Sequence, residues 1–124
     1  MSKNTLNIAK TIRHQIHCGD RMAFFAWGGR KMVALPEEKT EDGFQLGGLQ
    51  FDVNGAKLGR GRVRVRLMAD DTYTVEIYKN KREMMKIPGL NRRFYNTKKV
   101  LVDSMSGVYC DMLTDVIDRR IERN

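Results

Sequence analysis

Long apolar runs are absent from this 124-residue sequence. The longest one, Met22–Trp27 (MAFFAW), falls far short of the roughly 20 residues that a membrane-spanning helix needs. The opening stretch, MSKNTLNIAK, lacks the apolar centre of a signal peptide, so the expectation is a soluble, cytoplasmic protein with no membrane partner. Cysteine is scarce. Cys18 and Cys110 follow no disulfide-framework spacing and read as reduced thiols.

Catalytic signatures are missing as well. There is no phosphate-binding P-loop and no nucleophile elbow, and Gly59-Arg60-Gly61 lacks the rest of a dinucleotide fingerprint. His14, His17 and Cys18 lie within two helical turns, with His14 and Cys18 at i, i+4. Zinc usually takes three or four ligands, and only distant Cys110 offers an addition, so a helix face with two histidines is the favoured reading. Asp111, Asp115 and Asp118 share a helix face, as a metal-dependent nuclease requires. Arg119 and Arg123 stand within salt-bridge reach, which makes it a solvated face instead. The expectation is a protein that is not an enzyme and holds no metal or cofactor.

What the sequence does have is charge, concentrated in one block. Residues 57–99 hold thirteen Lys or Arg against Asp70, Asp71, Glu76 and Glu83, whereas the remainder balances ten basic against eleven acidic side chains. The whole excess behind the net charge of +8 therefore lies in the centre of the chain. A single-signed patch of this size favours a polyanionic partner.

The order of elements places that block. Residues 5–18 read as a helix, with Leu6, Ile8, Ala9, Ile12 and Ile16 on one stripe, Asn4 or Thr5 as cap and Gly19 as stop. Met22–Trp27, apolar on both faces, reads as a buried strand, with a second helix capped by Asp20 as the alternative. Gly28-Gly29 would turn it into a returning strand at Arg30–Leu35. An acidic loop follows at 36–43. Leu49–Val53 alternates as a strand, and Asn54-Gly55 signals a hairpin.

The next strand, about Arg60–Met68, carries Arg60, Arg62, Arg64 and Arg66 at every second position, with Val63, Val65 and Leu67 on the opposite face. After a turn at Ala69-Asp70-Asp71, the partner strand runs Thr72–Lys79. Pairing Leu67 with Tyr73 sets Arg64 opposite Glu76 and Arg62 opposite Tyr78. Leu58 has the wrong parity for Val63, which calls for a bulge at Gly59 or Gly61, one that would take Arg60 out of the row. Residues 80–97 read as a basic, irregular loop, Lys98–Asp103 as a last strand, and Gly107–Glu122 as a helix with Leu113, Val116, Ile117 and Ile121 inward. The sum is a single α+β domain: an N-terminal helix, an antiparallel sheet of five to six strands, and a C-terminal helix, with the helices on one sheet face.

Same-face strand residues stand about 6.5 Å apart, so the arginine row matches a phosphate backbone, and arginine forks onto phosphate and stacks on bases. Arg92, Arg93, Phe94, Tyr95, Lys98 and Lys99 interleave basic and aromatic residues, as single-stranded nucleic acid binding needs, and Tyr78 adds a platform on the arginine face. Nucleic acid, single-stranded DNA or RNA above all, is the expected partner. Two other readings stay open: a solvated face in which Arg64 pairs with Glu76, and a patch for an acidic protein. An exposed strand edge also leaves room for a homodimer.

The segments 26–33 (AWGGRKMV), 48–54 (GLQFDVN), 71–78 (DTYTVEIY) and 107–113 (GVYCDML) resemble a family of small proteins common in tailed-phage and prophage genomes. Residues 81–97 look additional to that pattern. The resemblance implies a phage or mobile-element setting and assigns no catalytic or binding residue. In that setting the alternative function is a phage accessory or anti-defence protein that binds and inhibits a host protein such as a nuclease. The basic charge disfavours mimicry of DNA.

Overall fold

In the computed structural model, residues 3–40, 43–86, 88–89 and 93–122 are described, with side chains at all of these but 3, 4, 40, 85, 86, 93 and 94. Helix α1 (Lys3–Gly19) forms where the apolar period predicts it and buries Ala9, Ile12 and Ile16, whereas Leu6 is left 45% exposed. Asn4's side chain lies outside the described residues. A short helix, α2 (Ala23–Ala26), follows, then β1 (Arg30–Leu35), β2 (Glu38–Thr40), β3 (Gly43–Gly55), β4 (Gly59–Met68), β5 (Tyr73–Lys86) and β6 (Arg93–Val108). A 3₁₀ turn, Cys110–Met112, leads into α3 (Leu113–Ile121). The six strands form one antiparallel sheet in the order β1-β3-β4-β5-β6, with β2 pairing on β3.

The α+β architecture is as expected, and several local readings are corrected. Met22–Trp27 is helical, not a strand. Asp20 Oδ1 accepts from the Met22 amide at 3.0 Å and turns the chain into α2. Its apolar residues on both faces divide between core and solvent: Ala23 and Trp27 are buried, and Phe25 is 79% exposed. Gly28 does turn the chain, at φ +64, but it joins a helix to β1 rather than two strands. The acidic loop at 36–43 contains β2, paired with β3 as Glu38↔Gln45.

The hairpin between β3 and β4 turns at residues 56–58 instead of Asn54-Gly55, because Gly55 pairs with Gly59. Gly59, the residue just after this turn, takes φ +76, which is sterically costly for any residue with a Cβ. The turn also closes α3. The amides of Lys57 and Leu58 donate to Ile121 O at 2.7 and 3.1 Å, satisfying a helix-end carbonyl that would otherwise lack a partner. Leu58 reaches the core from this turn, so no bulge is needed. From Gly59 to Leu67 the β4 register runs without a shift against both neighbours, the one irregularity falling at Gln45–Gly47 opposite Met68 and Leu67, and Arg60 stays in the row opposite Asn54.

Helices α1 and α3 cover one sheet face. Between them lie Phe51, Val53, Val63, Val65, Val75 and Ile77 from the strands and Ile12, Ile16, Leu113, Ile117 and Ile121 from the helices, all at most 1% exposed. Each such side chain contributes about 1.5–3 kcal/mol on burial. Trp27 stacks on Phe51 with centroids 6.3 Å apart and donates its indole N–H to Asp118 Oδ1 at 3.0 Å. Asp118 is thus turned inward to Trp27 and away from the solvated acidic face expected of α3.

The largest correction concerns 80–97. Its described residues are strand apart from a turn at 88–89: Lys79–Lys86 pairs continuously with Arg93–Val100, so β5 and β6 form an arm roughly 25 Å long at the usual rise per residue. Beyond Tyr78 no described side chain of the arm is buried. Such a ribbon is held by its ladder and a few cross-strand side-chain contacts, without a core, and is marginal in isolation. Arm amides are therefore expected to exchange with solvent about a hundredfold or more faster than those of β4, measurable by native-state hydrogen exchange. Protection equal to β4 would mean that something buries the arm.

Candidate nucleic-acid interface

The face of the sheet turned away from the helices carries the arginine row, in the register the alternation predicts. Arg62 stands between Asp52 and Tyr78, Arg64 between Gln50 and Glu76, and Arg66 between Gly48 and Thr74. The guanidiniums lie across the face and engage their neighbours. Arg62 Nε donates to Asp52 Oδ1 at 2.9 Å. Arg64 donates through Nε and Nη2 to Gln50 Oε1 at 3.2 and 2.8 Å and lies 5.6 Å from the Tyr78 ring centroid. Arg66 Nη2 meets Glu76 Oε1 at 2.6 Å. The Glu76 carboxylate also accepts from Tyr78 OH at 3.3 Å.

These contacts grade the row. The Arg66 and Glu76 side chains are 14% and 11% exposed, so this ion pair is largely withdrawn from solvent. Arg62 is 30% exposed, and Arg60 is exposed. Glu76 neutralises Arg66 at the inner end, the Gln50 amide holds Arg64, and positive charge reaches solvent at the Arg60–Arg62 end, where Asp52 engages only Arg62 Nε. The far end of the face is a cleft of about 650 Å³ lined by Thr74, Ser104, Ser106, Phe44 and Asp70, with no lysine or arginine among its described lining residues. There the Thr72 hydroxyl and amide donate to Asp70 and lower its pKa.

Lys99 joins the charged end. It stands opposite Asn80, and its ammonium donates to Asn80 Oδ1. Partial burial lowers its pKa. Asp52 opposes that shift, and the charges of Arg62, Lys31 and Arg30 add to it. Burial raises the pKa of Tyr78, with the Glu76 charge adding to it, and burial likewise raises that of Tyr73, whose hydroxyl donates to Gln15 Oε1 at 2.5 Å. Both phenols therefore ionise above the ordinary value of 10.0. The unfolded chain loses these protons first, so their contribution to stability is complete below pH 10 and fades as pH rises through the folded values. Absorbance titration near 295 nm should show a late step that shrinks in Tyr73→Phe and again in Tyr78→Phe; an unchanged late step would contradict the assignment.

The arm supplies the second set of groups. Lys79, Lys81, Arg82 and Lys98 are exposed, and Tyr95 is 58% exposed with the Arg82 guanidinium 4.8 Å from its ring centroid. Between residues 79 and 102 the sequence holds eight Lys or Arg and a single acid, Glu83. Arg92 lies outside the described residues, as do the side chains of Arg93 and Phe94. The structure thus draws Arg60, Arg62 and Lys99 to one end of the face and sets Tyr95 and Lys98 on the adjoining arm. Arg64, Arg66 and Tyr78 form the partnered interior. Residue patterns alone passed over Gln50 and Asp52, which hold the arginines, and over Arg30, Lys31, Lys79, Lys81 and Arg82. The alternation Gln50-Phe51-Asp52-Val53 was the available signal for the first two.

The other candidate chemistries do not assemble. His14 Nε2 and Cys18 Sγ lie 3.4 Å apart on α1, yet no group of three or more His, Cys, Asp or Glu among the described residues is placed to hold a metal ion. On α3, Asp115 pairs with Arg119 at 3.1 Å; Arg123 is outside the described residues. No described helix is long and apolar enough to cross a membrane. Comparison with models of known protein families, with curated proteins and with solved structures finds no match.

Proposed function

We propose that this chain is a non-enzymatic binding protein that holds single-stranded DNA or RNA along the β5–β6 arm and the basic end of the polar sheet face. The observation that carries this reading is the arm itself. Lys79, Lys81, Arg82 and Lys98 reach solvent beside an exposed aromatic ring that already stacks with a guanidinium. Cations that follow a backbone, together with a ring open to bases, are what sequence-tolerant single-strand binding uses. The inner arginines serve mainly to order the face, and Arg60, Arg62 and Lys99 extend the arm's charge onto it.

The test is fluorescence anisotropy with labelled single-stranded DNA, RNA and duplex across a range of salt. Each phosphate contact on a single strand contributes about 0.7 to the log–log salt slope, so Lys81→Ala with Arg82→Ala and Lys98→Ala should flatten it by about two units. Tyr95→Ala should weaken single strands by about 1–3 kcal/mol and duplex far less. No salt-dependent binding by the folded protein would end this reading.

A second reading, an accessory protein that inhibits an acidic host protein, draws on a different feature. Phe25 on α2 and Met22 just before it are 79% and 62% exposed, and Arg21 and Arg30 flank that helix in sequence. Buried Trp27 anchors the helix and so presents Phe25 rigidly, as interface hot spots require. A stoichiometric host protein that survives nuclease treatment and is lost with Phe25→Ala would favour it.

A further inference from the structure

We propose that Arg30, Lys31, Arg62 and Lys99 form a binding site for a single phosphate group at the charged end of the polar face. The site goes beyond strand binding along the arm, since two of its four cations come from β1, a strand the arm does not touch. Arg30 pairs with Asp52, and Asp52 pairs with Arg62, so three charged residues stand side by side across β1, β3 and β4. Lys99 stands on β6 opposite Asn80, to whose Oδ1 its ammonium donates, and the charges of Arg62, Lys31 and Arg30 act on that ammonium.

Four cations here face one carboxylate. Asp52 is 7% exposed and engages Arg62 through Nε. The two Nη groups carry the other four of the guanidinium's five N–H donors, and these can fork onto two oxygens of a phosphate. A dianion would bring the cluster close to neutrality. Mutual repulsion among the cations is the state that such a ligand relieves.

The backbone supplies an independent sign. Lys31 sits at φ 54, in the left-handed region, within the bulge that shifts the β1 register between Arg30 and Val33. A residue with a Cβ is sterically disfavoured there, and glycine is the usual occupant. Bulges re-aim side chains, and local strain retained by a fold clusters at ligand sites. A lysine held where glycine would relax the chain is explained if its charge is needed at that position.

The experiment is an NMR titration of the full chain with inorganic phosphate at neutral pH and low ionic strength, beside thermal melts. Shifts should concentrate on residues 30, 31, 52, 62 and 99. Lys31→Gly should weaken phosphate binding about tenfold, the loss of one charge-assisted contact, while its melting temperature stays level or rises. Lys99→Gln should weaken it comparably, and Lys81→Ala with Arg82→Ala should leave it unchanged. Absence of phosphate binding, shifts spread along the arm, or a Lys31→Gly variant with wild-type affinity would overturn the site. Two further arms identify the source of the phosphate. If a 5′-phosphorylated oligonucleotide outbinds its 5′-hydroxyl twin and Lys31→Gly abolishes the difference, the site holds a strand end. If adenosine monophosphate binds as phosphate does and the oligonucleotides do not differ, the ligand is a small phosphomonoester. Strand binding by the arm can fail with this site intact, and the reverse, so the two readings are separable.

Discussion

Replacing Glu76 with Leu is expected to destabilise the fold by about 3 kcal/mol, and replacing Arg66 with Met at the same time to restore most of it. The two groups meet at 2.6 Å with side chains 14% and 11% exposed, between Thr74 and Ser104 on the neighbouring positions of the face. Removing the carboxylate alone leaves a guanidinium that water only partly reaches. Its desolvation penalty then goes uncompensated, and the Tyr78 hydroxyl also loses its acceptor. Removing both charges in favour of apolar side chains of similar volume eliminates the penalty with the attraction, which is why buried pairs are often dispensable as a pair and not singly. Urea unfolding of the wild type, both single variants and the double variant measures this as a cycle. The same proteins discriminate between roles for the arginine row. If Arg66 is a structural partner, Arg66→Met lowers the urea midpoint and leaves the salt slope of nucleic-acid binding unchanged. A slope flattened by about one unit with stability intact would instead make Arg66 a backbone contact, as the bare alternation of arginines suggests.

That alternation shows how far sequence reaches. The period of two from Arg60 to Leu67, matched by the period of two from Tyr73 to Tyr78, limits the pairing to registers that bury both apolar sets, and the short turn that sets Leu67 opposite Tyr73 selects the one observed. Helix α1 and the inward residues of α3 were legible for the same reason: one face is buried and the pattern records it. The arm was not legible because none of its described side chains beyond Tyr78 is buried. Without a core to face, Lys79–Lys86 and Arg93–Val100 carry no alternation, and their strand character rests on ladder bonds that leave no trace in hydropathy. MAFFAW failed differently. Six apolar residues fit a buried strand or a short helix equally well, and exposure of Phe25 depends on where Trp27 anchors the turn. The partners of the arginines were hidden by a turn. Placing it at Asn54-Gly55 instead of 56–58 moves Asp52 and Gln50 away from Arg62 and Arg64, and the row then looks unopposed on its β3 side.

Trp27→Ala is expected to be the most damaging single truncation near the charged end, at about 3–5 kcal/mol, a large share of the 5–15 kcal/mol that holds a typical domain folded. The indole is fully buried, stacks on Phe51 at an interplanar angle of 6°, and donates to Asp118. Its backbone matters as much: the Asn54 amide donates to Trp27 O at 2.7 Å, tying α2 to the end of β3. Two glycines then separate Trp27 from Arg30, so the same anchor fixes where β1 begins and where Arg30 and Lys31 point. Trp27→Phe keeps an aromatic ring over Phe51 but removes the N–H donor to Asp118, and should cost about 1.5–3 kcal/mol. The consequence for binding follows from position and not from contact. Below its melting temperature, Trp27→Ala should lose phosphate affinity at the Arg30–Lys31 end while single-strand binding by the arm persists, because the arm leaves the sheet at the opposite edge. Thermal melts together with the phosphate titration test both halves. A melting midpoint within a few degrees of wild type would show that the Trp27 anchor is dispensable, and equal losses at both sites would show that the anchor acts on the whole sheet instead of its β1 edge.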